Sequence, residues 1–147
     1  MNKLSILTYH SIDGSGSVIS VTPEAFKAQM AVLADAGFRG VSLREALSYR
    51  EGHNAWPERS VALTFDDGYA NFYEDAAPTL AEHRFTATVF VVSGHVGRLN
   101  DWAPPPPGFG ARAILSRTQI VEMSEAGIEV GARPPYREIT IRGSSSR

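Results

Sequence analysis

Short apolar runs alternate with amphipathic stretches along most of this chain. Leu4 to Tyr9 reads as a first strand, and a Gly/Ser loop, Asp13-Gly14-Ser15-Gly16-Ser17, follows it. Thr22-Pro23-Glu24 has the composition of a helix start, with an N-cap hydroxyl, proline at the first helical position and an early acid. Phe26, Met30 and Leu33 recur at helical spacing, and Gly37 supplies the stop. Phe38 to Leu43 is a further strand, leading into Arg44-Glu45-Ala46-Leu47. Ser60 to Phe65 predicts a strand that runs straight into two adjacent aspartates, and a helix is expected around Asp75 to His83 with Pro78 in its first turn. Thr86 to Val92 is almost wholly β-branched or aromatic, as in a strand buried on both faces. Ser93 to Ala113 reads as a long loop around the stiff run Pro104 to Pro107. Ser116-Arg117-Thr118-Gln119 then has the capping-box pattern, Ile120 and Met123 give an apolar face, and Gly127 precedes a strand opening at Ile128-Glu129-Val130-Gly131.

This alternation predicts an α/β fold with a mostly parallel sheet. Three helix-to-strand junctions look alike: Ala36-Gly37-Phe38, His83-Arg84-Phe85 and Ala126-Gly127-Ile128. They are similar packing solutions and no evidence of duplication. After Ala132 the rhythm stops. Arg133-Pro134-Pro135-Tyr136-Arg137 is expected to break the strand, and residues 133–147 read as an atypical tail with little fixed structure, beside a structured part at 1–132.

Composition narrows the function classes. The 147 residues suffice for one domain with a real core, and the apolar fraction of 43% is ordinary. A net charge of −2 gives no basic footprint for nucleic acid or anionic membrane. No cysteine is present, which excludes disulfides, thiolate-held zinc and thiol nucleophiles. The apolar patch at the N-terminus is cut short by Thr8 and His10, and no run approaches the roughly 20 apolar residues of a membrane span. The expectation is a chain without an export signal or transmembrane segment, located in the cytoplasm.

The chemistry concentrates at Asp66-Asp67-Gly68. In parallel α/β sheets ligands bind at the carboxyl ends of the strands, and Gly68 lets the chain turn there. One carboxylate of such a pair can ligate a divalent metal while the other accepts a proton from water. A plain strand-to-turn Asp-Gly signal accounts for the dipeptide equally well.

The wider sequence favours the first account. Val61-Ala62-Leu63-Thr64-Phe65-Asp66-Asp67-Gly68-Tyr69 resembles the first motif of the polysaccharide deacetylase family (NodB homology, carbohydrate esterase 4). Leu7-Thr8-Tyr9-His10-Ser11-Ile12 resembles the opening strand of its poly-N-acetylglucosamine deacetylase branch. Pro23 to Leu47, Ala77 to Val91 and Leu115 to Ala132 resemble the successive helix and strand units, so the likeness covers residues 4–132. The resemblance implies a partial, distorted (β/α) barrel. It implies Asp66 as general base, Asp67 as ligand of a divalent metal, zinc foremost, and an acetylated polysaccharide or oligosaccharide as substrate. N- or O-acetyl groups of amino sugars would be hydrolysed.

The chain also departs from that pattern. The family places His-x-x-x-His just after the strand matched by Ile128 to Ala132, whereas this sequence has Arg133-Pro134-Pro135-Tyr136-Arg137 and no histidine after His95. The metal site is therefore incomplete, since one aspartate alone holds zinc poorly. A closed barrel takes about 250 residues, and the chain matches only the N-terminal half. A truncation or frameshift near Ala132 is the expectation drawn from this change of character.

His10 follows the first strand and His95 the Thr86 to Val92 strand, so both belong on the rim that carries Asp66 and Asp67. They and Tyr69 are candidate rim or substrate contacts, with simple polar or loop roles as the plainer account. His83 suits a helix end, and His53 lies in a polar loop. Trp102 and Phe109 flank the proline run and either stack on sugar or pack on the barrel. Two functions remain: a metal-dependent carbohydrate deacetylase, and a non-catalytic remnant that binds carbohydrate or a partner chain. A phosphotransfer aspartate of the Asp-x-Asp type fails on spacing.

Overall fold

A computed structural model describes residues 4–50 and 59–134. The strands are β1 (Ser5–Tyr9), β2 (Ser11–Ile12), β3 (Ser20–Val21), β4 (Arg39–Val41), β5 (Ser60–Phe65), β6 (Thr88–Val92) and β7 (Glu129–Arg133). The helices are α1 (Pro23–Asp35), α2 (Leu43–Arg50), α3 (Ala77–Glu82) and α4 (Arg117–Glu125). Residues 135–147 of the tail expected at 133–147 and the loop histidine His53 lie outside the described residues, as do residues 1–3.

The helix ends follow the local chemistry of the sequence. Thr22 Oγ1 accepts the Ala25 N–H at the start of α1, with Pro23 in the first turn. Ser116 and Gln119 form the reciprocal capping box of α4. The three similar junctions are one structure repeated. Phe38 N donates to Leu33 O, Phe85 N to Leu80 O and Ile128 N to Met123 O, at 2.8, 2.9 and 3.0 Å. Gly37, Arg84 and Gly127 supply the left-handed residue each time, with φ of 75°, 56° and 93°. This is the Schellman arrangement, in which the chain leaves the helix by satisfying its last carbonyls.

The main sheet is parallel in every strand pair. β5 pairs with β1 on one side and with β4 and β6 on the other, and β7 pairs with β6. All six residues of β5 are buried. Val61, Leu63 and Phe65 face the main core with Phe26 and Met30 of α1, Leu80 of α3 and Met123 of α4. Ala62 faces the opposite side with Val41 and Ala46. Burial on both faces is why this strand reads as a continuous apolar run rather than an alternating one. Around Phe65 the core is aromatic: Tyr9 stacks on it at 5.2 Å between ring centroids, and Phe26 and Phe72 meet it edge-on at 5.8 and 4.6 Å. Such pairs add about 0.5–1.5 kcal/mol each beyond the area they bury.

α2 starts on donors that two other segments satisfy. Leu43 N donates to Thr88 Oγ1, Arg44 N to Glu129 Oε2 and Ser42 N to Thr86 Oγ1, while Ser42 Oγ accepts from Glu45 N. Thr88 thus serves a helix end as well as a strand, and Thr86 serves the helix end alone, which the run of β-branched residues concealed. β6 begins at Thr88, two residues later than the sequence suggested.

Three other expectations are corrected. A five-residue π-turn, Phe72–Ala76, precedes α3, so the helical path starts earlier than Asp75. Residues 93–113 are an organised excursion instead of a bare loop. Leu99 and Ala113 join in an antiparallel bridge, Ile114 just beyond bridges to Tyr69, and Asn100 ties the middle by accepting from Arg112 N at 2.6 Å and donating to Gly110 O. Finally, Arg133 does not break β7 but ends it, in register with Val92, and Pro134, which has no N–H to give, comes after. No helix of the described residues is long and apolar enough to cross a membrane.

Candidate active site

The two aspartates leave β5 at its carboxyl end, where the backbone turns through two consecutive left-handed residues. Asp66 N donates to Tyr9 O of β1 at 2.9 Å, so the first carboxylate stays in line with the sheet. Asp67 has φ 73° and Gly68 φ 72°. A Cβ on Gly68 would lie 3.0 Å from Val91 Cα, so the position needs glycine for space as well as for dihedral. Aspartate tolerates the left-handed region better than most residues, yet the conformation is uncommon and here is held on both sides. Gly68 O accepts from Leu115 N and Ala70 N donates to Ala113 O.

The turn sends the two carboxylates to different surroundings. Asp66 stays on the rim, about a quarter exposed, with Oδ2 3.7 Å from Nε2 of His10. Asp67 is buried, and its Oδ1 lies 2.6 Å from Nη2 of Arg133 at the end of β7. Burial pushes the Asp67 carboxyl above the ordinary aspartate range. Arg133 and His10 pull it back, and the neighbouring Asp66 charge adds to the rise. Burial and the nearby Asp67 likewise raise the Tyr69 hydroxyl.

Beside the pair opens a cavity of about 240 Å³, lined by His10, Ile19, Asp67, Tyr69, Asn100, Trp102 and the stretch Ala103 to Pro106. Tyr69 packs edge-on against the buried Phe109 at 5.2 Å, and Trp102 lies 6.4 Å from Tyr69. The proline run therefore forms a wall of the site. Phe109 serves the core, while Trp102 is only partly buried, packing on the core and facing the cavity as well.

Of the residues singled out in the sequence, His10, Asp66, Asp67 and Tyr69 come together. His95 does not join them. Its Nε2 meets Asp101 Oδ1 at 2.8 Å and its ring stands edge-on to Trp102 at 5.0 Å, so it braces the wall of the cavity. His83 caps α3 and stacks near Phe85, away from this chemistry.

Sequence reading missed Arg133, because the start of an arginine- and proline-rich stretch hid its position at a strand end on the same rim. It also missed a polar cluster under the β2–β3 loop. Asp13 accepts from Ser11 Oγ, Ser20 Oγ and Ser15 N, and Asn71 bridges Ser11 and Ile12 N to the turn that follows the aspartates. Against burial, which would raise it, these hydrogen bonds draw the Asp13 carboxyl down to about 2. Nothing in Asp13-Gly14-Ser15 distinguishes such a brace from an ordinary turn.

The zinc site that the resemblance implies does not fit the side chains present. Among the described residues no group of three or more His, Cys, Asp or Glu side chains gathers closely enough to hold a metal ion. The group that meets Asp67 is a guanidinium, which has five donors and no acceptor.

Comparison with known proteins settles the ancestry of this arrangement. The family model for polysaccharide deacetylase matches residues 53–134. The chain belongs to the polysaccharide deacetylase family. It is 33% identical over 109 residues to poly-beta-1,6-N-acetyl-D-glucosamine N-deacetylase of Staphylococcus epidermidis, which covers 74% of this chain and 35% of that one. Its fold superposes on the structure of IcaB from Ammonifex degensii with a TM-score of 0.75 at 31% identity, over 88% of this chain and 52% of that one. A de-N-acetylase from Aggregatibacter actinomycetemcomitans shares the fold, with a TM-score of 0.72 at 24% identity, over 88% of this chain and 54% of that one. The chain thus spans about a third of the curated relative and about half of these solved structures. This chain shares its fold with these deacetylases, and among the described residues its main sheet is parallel and does not close into a barrel.

Proposed function

We propose that this chain carries the proton-accepting, substrate-facing part of a hydrolase that removes acetyl groups from acetylated amino-sugar polymers. The observation that carries this reading is the division of labour between the two aspartates. Asp66 is about a quarter exposed, so water can reach its carboxylate, and it lies 3.7 Å from His10, which together with Asp67 lines the cavity walled by Tyr69, Trp102 and the proline run. In that role it takes a proton from the attacking water as the acyl carbon is attacked; the acyl C–N bond then breaks as the departing nitrogen takes up a proton, leaving acetate and a free sugar amine. The Staphylococcus epidermidis relative is named for this class of substrate.

A second reading, sugar binding without hydrolysis, is favoured by one observation, the Arg133 guanidinium on Asp67. Incubating the chain with β-1,6-linked N-acetylglucosamine oligomers separates the two. The hydrolase reading expects acetate release that falls by about 10²-fold or more in Asp66→Asn, with ligand binding by saturation-transfer NMR retained. Binding without acetate release leaves the second reading. Acetate release indifferent to Asp66→Asn, or no binding at all, removes the first.

A further inference from the structure

We infer that Arg133 is the resident cation of the Asp67 site and that it keeps divalent metal ions out. The argument begins with the buried carboxylate. A charge that deep needs a counter-charge, and the candidates around it are few. His10 lies toward Asp66, and among the described residues the charged group within ion-pair distance of Asp67 is the Arg133 guanidinium, 2.6 Å from Oδ1.

The partnership is positioned by backbone on both sides. Asp67 is fixed by the left-handed turn into Gly68 and by the lack of room beside Val91. Arg133 is fixed as the last residue of β7, in register with Val92, so the pair joins the ends of β5 and β7 across the intervening β6. Neither partner has to move a loop to keep the contact.

A divalent ion at Asp67 would need that same oxygen, and it would have to share a buried space with a group that stays protonated at any working pH. Displacing Arg133 would cost its guanidinium the Asp67 carboxylate or require it to leave a strand end. Among the described residues no group of three or more ligating side chains gathers there to compensate. The inference concerns metal binding alone, so it stands or falls separately from acetate release.

Titration calorimetry with zinc, and with cobalt followed by its visible absorption, tests it on the 147-residue chain and on Arg133→His, Arg133→Lys and Asp67→Asn. The expected result is no stoichiometric binding by the unaltered chain or by Arg133→Lys. Arg133→His, which trades the guanidinium for a ligand, gains at least tenfold in zinc affinity, and the gain is lost when Asp67→Asn is added. Stoichiometric zinc on the unaltered chain that Asp67→Asn abolishes overturns the inference. So does an Arg133→His chain, shown folded by circular dichroism, that binds zinc no better than the unaltered one. If Arg133→His does not fold, the unaltered chain and Arg133→Lys decide the matter by the same criterion.

Discussion

Nη2 of Arg133 lies 2.6 Å from Oδ1 of Asp67, joining the last residue of β7 to the turn that leaves β5. This ion pair is mostly shielded from water, so breaking it differs from breaking a surface pair.

Arg133→Ala should lower stability by about 2–3 kcal/mol at neutral pH, because it strands a buried carboxylate. Without the guanidinium the Asp67 carboxyl, already raised by burial, rises further. An acid whose folded value lies above its unfolded value, about 4, weakens the fold only where it must be charged. The deficit should therefore be full at neutral pH and shrink as pH falls toward 4. Urea unfolding of both chains across that range measures it; a deficit that grows on acidification contradicts this account.

Gly68→Ala should cost about 1–3 kcal/mol, combining the strain of a left-handed alanine with a Cβ 3.0 Å from the Val91 backbone. Because Gly68 follows Asp67 directly, relief of the clash also displaces the carboxylate. Thermal melting gives the first effect, and a loss of any Asp66-dependent acetate release gives the second.

Asp13→Asn should lower stability by about 1–2 kcal/mol at pH 7, a figure discounted because Asp13 is partly solvated. Its carboxyl is held near 2 by Ser11, Ser15 and Ser20. A depressed folded value stabilises above the unfolded one, so the advantage is complete above about pH 4 and disappears as pH falls through 2. Unfolding curves of the two chains should converge over that window.

Much of this fold was readable because its signals are local. Thr22-Pro23, the Ser116–Gln119 capping box and the apolar run Ser60 to Phe65 each announce their element within a few residues, and each stands where the sequence put it. What escaped is long-range. The caps that α2 receives from Thr88 and Glu129 are set by strand neighbours, not by sequence neighbours. The same holds for the site. Asp66, Asp67 and His10 were placed from their strand ends, but the partner of Asp67 lies in another strand and was read as the start of a tail. Asn100, which organises the excursion bearing Trp102, carries no local signal at all.

Arg84→Gly should stabilise the protein by about 1 kcal/mol. Arg84 is exposed and occupies, at φ 56°, the position that glycine fills in the two sister junctions. A rise in melting temperature checks it, and an unchanged or lower value shows that the Arg84 side chain contributes more than its backbone costs.

Those three junctions also bear on how the chain reaches its structure. Each reversal from helix to strand is fixed by hydrogen bonds spanning six residues, as from Leu33 to Phe38, so it closes at little entropic cost and early. The parallel pairing of β1 with β5 brings together residues such as Thr8 and Thr64, 56 positions apart. Docking preformed reversals onto that long-range pair is then the slow step, and substitutions at the β1–β5 seam should slow refolding while those at the junctions chiefly speed unfolding.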